Sequence, residues 1–140
     1  MSWAFNPFTG TLDFTKDPVT DSGVAKLTDN YIANESISAL RVVRLVDENT
    51  CELADSQNFY VNAKAVGVSV NSGASGQTIK TQTFGILEDS SFTFTLNEPL
   101  FLTTNGIITE TAETTGFSVQ IGHSLGNGAI FINIREPIEL

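Results

Sequence analysis

The stretch "FSVQIGHSLGNGAIFINI", residues 117–134, contains two runs in which apolar side chains alternate with their neighbours. Large apolar residues recur at every second position: Phe117, Val119 and Ile121 in the first run, and Ile130, Ile132 and Ile134 in the second. A period of two is typical of β-strands with one buried face. Asn127-Gly128 between the runs is a favoured hairpin dipeptide. The stretch therefore predicts an antiparallel β-hairpin.

Further short segments along the chain have the composition of strands. The predicted strands are residues 37–46, 51–54, 64–70, 77–84, 91–96, 100–103 and 107–110. Turn formers separate them, such as "DENT" (47–50), "NSGASG" (71–76) and Asn105-Gly106. Strands at intervals of roughly 8 to 12 residues are typical of antiparallel sandwiches and barrels. We therefore predict an all-β fold, a small antiparallel β-barrel or β-sandwich with little helix.

Residues 1–35 differ from the rest because they lack a sustained strand or helix period. Four large aromatic residues stand there among turn formers: Trp3, Phe5, Phe8 and Phe14. Such side chains are costly to expose, and a turn-rich segment rarely builds a core alone. We predict an extended N-terminal arm over residues 1–35 and a β-barrel or sandwich domain over residues 36–140. The four aromatic residues are its candidate interface, with either the chain's own barrel or a neighbouring subunit.

The composition restricts the classes of partner. The chain has 140 residues, enough for one domain with its own core. Sixteen acidic and seven basic residues give a net charge of −9, which repels nucleic acid. No apolar run approaches the roughly 20 residues that span a bilayer, and the N-terminus lacks a signal-peptide pattern. We expect no nucleic acid or membrane partner, and the single Cys51 fits synthesis in a reducing cytoplasm.

Residues 122–126, "GHSLG", match the G-x-S-x-G pattern of α/β-hydrolases. That motif works when the serine stands between a strand and a helix, with the catalytic histidine later in the chain. Here a strand pattern follows, and the only histidine, His123, directly precedes Ser124. We interpret the motif as a glycine-rich hairpin bend and predict no enzyme and no catalytic residue.

Acidic pairs raise the question of a bound metal. Asp47-Glu48 and Glu88-Asp89 could supply oxygen ligands to calcium. Neither follows the spacing of a calcium-binding loop. We interpret both pairs as solvated turn acids and expect no metal site and no cofactor.

Three segments carry a family resemblance. "AVGVSVNSGASGQTIKTQTFGIL" (65–87) resembles a recurring stretch of bacteriophage capsid decoration, or head cement, proteins, with Gly67, Gly76 and Gly85 at the matching glycines. "TTGFSVQIGHSLGNGAIFINIREPIEL" (114–140) is similar to the closing hairpin of phage decoration proteins. "WAFNPFTGTLDF" (3–14) looks like the start of phage structural proteins. The 114–140 stretch also resembles fibre-associated virion proteins.

The resemblance implies a β-rich virion protein, made in the host cytoplasm, that binds the outer surface of a phage capsid as a homotrimer. Its partner would be the major capsid protein, whose lattice it would stabilise against the pressure of packaged DNA. The alternative is a tail or head-fibre module that binds host-surface carbohydrate. Sugar binding favours exposed aromatic platforms, and outside the arm Phe59-Tyr60 is the one adjacent aromatic pair.

Overall fold

The computed structural model describes residues 3–6, 11–14 and 26–140. Its strands are β1 (Trp3–Asn6), β2 (Thr11–Phe14), β3 (Leu27–Ala33), β4 (Val42–Leu45), β5 (Thr50–Leu53), β6 (Ala65–Ser69), β7 (Thr78–Glu88), β8 (Pro99–Leu102), β9 (Ile108–Thr109), β10 (Phe117–Ser118), β11 (Gln120–Gly126), β12 (Ala129–Ile132) and β13 (Ile138–Glu139). A one-turn helix, α1 (Tyr60–Ala63), and a 3-10 turn at Thr104–Gly106 complete the regular elements of these ranges. The all-β prediction is confirmed.

Five strands close into a small barrel in the order β3, β5, β4, β6 and β7. The β3–β5 pair is parallel, and the other pairs are antiparallel. The antiparallel pairing of β3 with β7 places Leu27 opposite Phe84 and closes the ring. One apolar cluster belongs to this part of the molecule: Ala33, Ile37, Val43, Cys51 and Ile79. Closure removes the unpaired edges that an open five-stranded sheet would present.

A second group of strands continues from the far end of β7. There β7 pairs with β12, and the order continues through β11 and β8 to β9. The predicted hairpin is confirmed as β11 and β12, with Ser124 opposite Ile130, but the start of its predicted first arm, Phe117 and Ser118, is β10, which pairs with β13. Its turn is at Asn127 and Gly128, whose φ angles are 50° and 77°. The second core cluster includes the fully buried Leu100, Leu102, Ile121, Ile130 and Ile132.

The long strand β7 belongs to both groups and changes direction between them. Gly85 has a φ of 101°, a conformation that L side chains rarely adopt. The buried Gln82 amide donates to the carbonyl of Phe84 at 3.2 Å and to that of Ile86 at 3.0 Å. A single side chain therefore satisfies two main-chain acceptors where β7 leaves the barrel.

Residues 91–96 are not a strand, contrary to the prediction. They form a turn and an irregular segment, which begins where the Ser91 amide donates to the Asp89 carboxylate. The alternating phenylalanine side chains of this segment nevertheless contribute to the core. Phe92 and Phe94 stack with ring centroids 5.9 Å apart, and both pack into the second cluster. Burial of Phe92 and partial burial of Phe94 are thus achieved here without a strand ladder, whereas the third alternating residue, Leu96, is exposed.

The N-terminal region also differs from the predicted extended arm. Strands β1 and β2 pair in an antiparallel hairpin. Residues 27–33 form β3, which pairs with β5 and β7. This part of the predicted arm therefore belongs to the barrel. The strand was missed because Thr28, Asp29 and Asn30 are exposed and leave little apolar alternation.

One carboxylate ties loops from the two strand groups together. Glu113 accepts hydrogen bonds from Ser56 at 2.5 Å, Gln57 at 2.9 Å and Thr103 at 3.2 Å. Ser56 follows β5 of the barrel, and Thr103 follows β8 of the second group. The hydrogen bond from Ser56, followed by those from the other two, holds the pKa of Glu113 below its usual range, against the opposing effect of burial.

Candidate functional site

Three of the four aromatic residues of the predicted interface, Trp3, Phe5 and Phe14, lie in strands β1 and β2. Trp3 is opposite Phe14 in the register of β1 and β2, and Phe5 is opposite Leu12. Phe8 falls outside the described residues. The hairpin therefore brings the backbone positions of Trp3 and Phe14 together. The contacts predicted for these side chains stay a prediction.

The G-x-S-x-G stretch lies within strand β11, and the interpretation of the whole motif as a bend is wrong. The bend is only at Asn127 and Gly128. Ser124 is buried, its hydroxyl donates to the Phe94 carbonyl at 3.3 Å, and it accepts from the Gly126 amide at 3.1 Å. His123 precedes it on the strand, with its ring 5.5 Å from that of Phe131. Neighbouring strand residues face opposite ways, so this histidine is not placed as a base for Ser124.

The Cys51 thiol has the environment of a core side chain. It is fully buried in the barrel cluster. Burial, followed by the charges of Glu35 and Glu52, raises the pKa of this thiol. The thiolate is the reactive form of cysteine, so each of these effects lowers its reactivity.

One carboxylate of each acidic pair accepts hydrogen bonds in a turn, Asp47 in the first and Asp89 in the second, whereas Glu88 is the last residue of strand β7. The Asp47 carboxylate accepts from the Asn49 amide at 2.9 Å, and Asp89 accepts from the Ser91 amide and hydroxyl. These hydrogen bonds lower the pKa of both carboxyl groups. Within residues 3–6, 11–14 and 26–140, no group of three or more His, Cys, Asp or Glu is close enough together to hold a metal ion. No helix in the same ranges is long and apolar enough to cross a membrane.

The surface feature that stands out is an apolar shoulder, formed by Phe59, Tyr60 and Val61 at the start of α1. These consecutive side chains are 68%, 43% and 61% exposed. Below them, Ala63 is fully buried in the second core cluster and anchors the short helix. Three consecutive large side chains are thus exposed at one place on the surface, and clustered exposed apolar residues are typical of interaction surfaces.

Polar contacts hold the shoulder in place. The Tyr60 hydroxyl donates to Glu136 at 2.8 Å, and the Lys64 ammonium lies 3.3 Å from the same carboxylate. These two contacts lower the pKa of Glu136, and the hydrogen bond to that carboxylate raises the pKa of Tyr60. The Tyr60 ring meets Phe117 edge to face, at 5.8 Å between centroids. Within the shoulder, the Tyr60 side chain is therefore held in place by its hydrogen bond and its aromatic contact.

Two concave regions adjoin the shoulder. An apolar groove of about 360 Å³ is lined by Leu45, Val61, Lys64, Ala65 and Val66. A second cavity of about 400 Å³, the junction cleft, is lined by Lys64, Ala65, Val66, Thr83, Phe84 and the segment 133–137. It opens where β6 and β7 separate, because their pairing stops at Val68 opposite Gln82. Both volumes fall within the range of about 300–1,000 Å³ found for ligand sites.

Sequence reasoning found one part of this surface and missed another. The adjacent pair Phe59-Tyr60 is visible in the sequence, and the structure exposes both residues. The junction cleft has no local signal, because its walls come from strands far apart in the chain. Its cations, Lys64 and Arg135, are 71 positions apart (135 − 64). In the sequence, each of them is indistinguishable from an ordinary surface residue.

A comparison with protein-family models and a comparison with curated proteins both give no match.

Proposed function

We propose that this protein is a virion structural protein of the capsid decoration type, which binds the outer surface of a phage capsid as a homotrimer and stabilises its lattice. The observation that carries the proposal is the apolar shoulder on a closed β-structure. The resemblance of residues 65–87 and 114–140 to decoration proteins supports it. Those segments contain Ala65 and Val66 of β6, Thr83 and Phe84 of β7, and residues 133–137 between β12 and β13, which line the cleft beside the shoulder.

The physical logic of cementing suits such a surface. A protein that binds several capsid subunits only in their mature arrangement stabilises that arrangement by mass action. Three linked copies multiply a modest contact energy through avidity. The shoulder supplies apolar contact area, and the net charge of −9 keeps the outward surface soluble. The aromatic residues Trp3, Phe5, Phe8 and Phe14 are proposed as a further anchor.

The test of this docking surface is co-sedimentation with purified capsids that lack the protein. Replacing Phe59 and Val61 together by serine is expected to weaken capsid binding by about tenfold or more, since buried aromatic anchors dominate interface energies. The matched control is Leu96→Ser, which removes a side chain of similar exposure, 58%, outside the shoulder. Equal binding by the double variant and the control would contradict the proposed surface.

A host-binding fibre module is the second candidate, and the exposure of Phe59 and Tyr60 favours it. Aromatic faces beside polar groups such as Glu136 suit sugar stacking. Copy number and heat tolerance separate the two functions. Cementing predicts on the order of hundreds of copies per particle, because capsid positions repeat, and rupture at lower temperature when the protein is missing. A fibre module predicts few copies and unchanged heat tolerance.

A further inference from the structure

The junction cleft combines positive charge with strand edges in an otherwise acidic chain. Among the described residues, the ion pairs are Arg44–Glu52 and Lys64–Glu136. Glu136 therefore compensates Lys64 at the mouth of the cleft. Arg135, in the facing wall, belongs to neither pair. The charged residues that line the cleft are therefore two cations, Lys64 and Arg135, and one anion, Glu136.

The walls of the cleft are main-chain segments with room between them. β6 pairs with β7 only through Val68 and Ser69, and its earlier residues pair with β4. In the facing wall, the amides of Asn133 and Arg135 donate to Ile121 and Gln120 of β11. That segment is thus fixed against β11, and the beginning of β6 lies on the other side of the opening. An extended peptide bound between these two segments can form main-chain hydrogen bonds with their unpaired edges.

The floor of the cleft adds an apolar and a polar contact. Phe84 is half-buried, and its ring meets Phe131 edge to face at 5.3 Å. The Thr83 hydroxyl beside it donates to the Leu27 carbonyl at 3.3 Å. A lining that contains both an aromatic residue and an arginine suits a segment in which apolar and carboxylate side chains alternate. The guanidinium binds carboxylate in a forked, bidentate geometry.

We propose that the junction cleft binds an extended acidic peptide segment, with carboxylates at Arg135 and apolar side chains against Phe84 and Val66. This inference rests on the proposed function, in which the partner is a capsid protein. It adds the chemistry of the partner segment that binds. The net charge of −9 does not prevent this binding, because salt screens charges beyond about 8 Å at physiological ionic strength. Local contacts therefore decide the affinity.

The test uses the full chain and a blocked hexapeptide, acetyl-(Asp-Leu)3-amide, with acetyl-(Asn-Leu)3-amide as the neutral probe. Amide resonances are followed by NMR during titration. The acidic peptide is expected to shift the resonances of Ala65, Val66 and Asn133, and to bind more weakly as salt is added. Arg135→Gln is expected to weaken binding about tenfold. Lys80→Gln, an exposed cation outside the cleft, is the control and is expected to change binding less than about twofold.

Three results would overturn the inference: no shifts at roughly millimolar peptide, equal binding of the neutral peptide, or equal loss in the two variants. Dispersed amide spectra of both variants establish that each is folded. No capsid is present in the titration. A failure here therefore leaves the co-sedimentation result standing, and a failure of capsid binding leaves the peptide result standing.

Discussion

At Gly122 two backbones approach so closely that no side chain fits between them. A Cβ at this position would overlap the carbonyl oxygen of Phe131 on the neighbouring strand β12. The glycine of the hydrolase-like motif therefore has a packing reason, which is the contact of β11 with β12. Ser124, two residues later, uses its hydroxyl for the main chain. At the scale of single residues, the motif is part of the sheet.

We expect Gly122→Ala to lower the free energy of unfolding by about 3 kcal/mol or more, because the added methyl group must displace a strand. Ser124→Ala is the comparison in the same strand and is expected to cost about 1 kcal/mol, the value of one hydrogen bond. Urea denaturation followed by circular dichroism measures both. An unchanged midpoint for Gly122→Ala would show that the strands separate readily at this position.

Among the elements, β7 connects the two strand groups, and its course depends on one buried amide. Gln82 lies opposite Val68 of β6 on one side and Thr28 of β3 on the other. Beyond it, the positive φ of Gly85 redirects the strand to β12. The carbonyls of Phe84 and Ile86 point to the Gln82 side chain at this junction. Continuous pairing along β7 is possible because that amide supplies both donors.

We expect Gln82→Leu to cost about 2 kcal/mol or more, because two buried carbonyls lose their donors. Gln82→Glu has the same shape and is expected to cost still more at pH 7, since a carboxylate brings negative charge to the same carbonyls. Thermal unfolding of both variants at pH 7 measures which substitution lowers the stability more. If Gln82→Glu is more stable than Gln82→Leu, donation by the Gln82 amide to the two carbonyls does not stabilise β7.

Across the whole molecule, Glu113 joins loops that follow the barrel and the second strand group. Its pKa is lowered by hydrogen bonds to the charged form. A carboxyl group whose pKa is lowered on folding stabilises the folded state above its ordinary pKa, about 4.3. That stabilisation disappears as the pH falls through the lowered value, when the group becomes protonated in the folded state too.

We expect Glu113→Gln to lower stability by roughly 1 kcal/mol at pH 7, a value reduced for partial exposure to solvent. The difference from the unsubstituted protein is expected to shrink as the pH falls below the ordinary pKa of a glutamate and to vanish below the lowered pKa of Glu113 in the folded state. Urea denaturation at a series of pH values measures it. A difference that persists at low pH would mean that the charge of Glu113 has no part in joining the loops.

Local sequence was sufficient for the parts of the fold that local interactions decide. The hairpin of residues 117–134 was predicted because alternation and an Asn-Gly turn act within a few residues. The acidic turns at Asp47 and Asp89 were predicted for the same reason. The segment 91–96 was not, because alternating phenylalanines pack equally well from an irregular turn.

The sequence by itself determined the all-β class, the central hairpin and the adjacency of Phe59 and Tyr60, whose exposure only the structure shows. The closed barrel and the junction cleft were decided only in the tertiary structure. Barrel closure depends on β3 meeting β7, whose paired residues Leu27 and Phe84 are 57 positions apart (84 − 27). The cleft depends on where β6 and β7 stop pairing. Neither leaves a local pattern, because both result from competition among distant strands for the same edges.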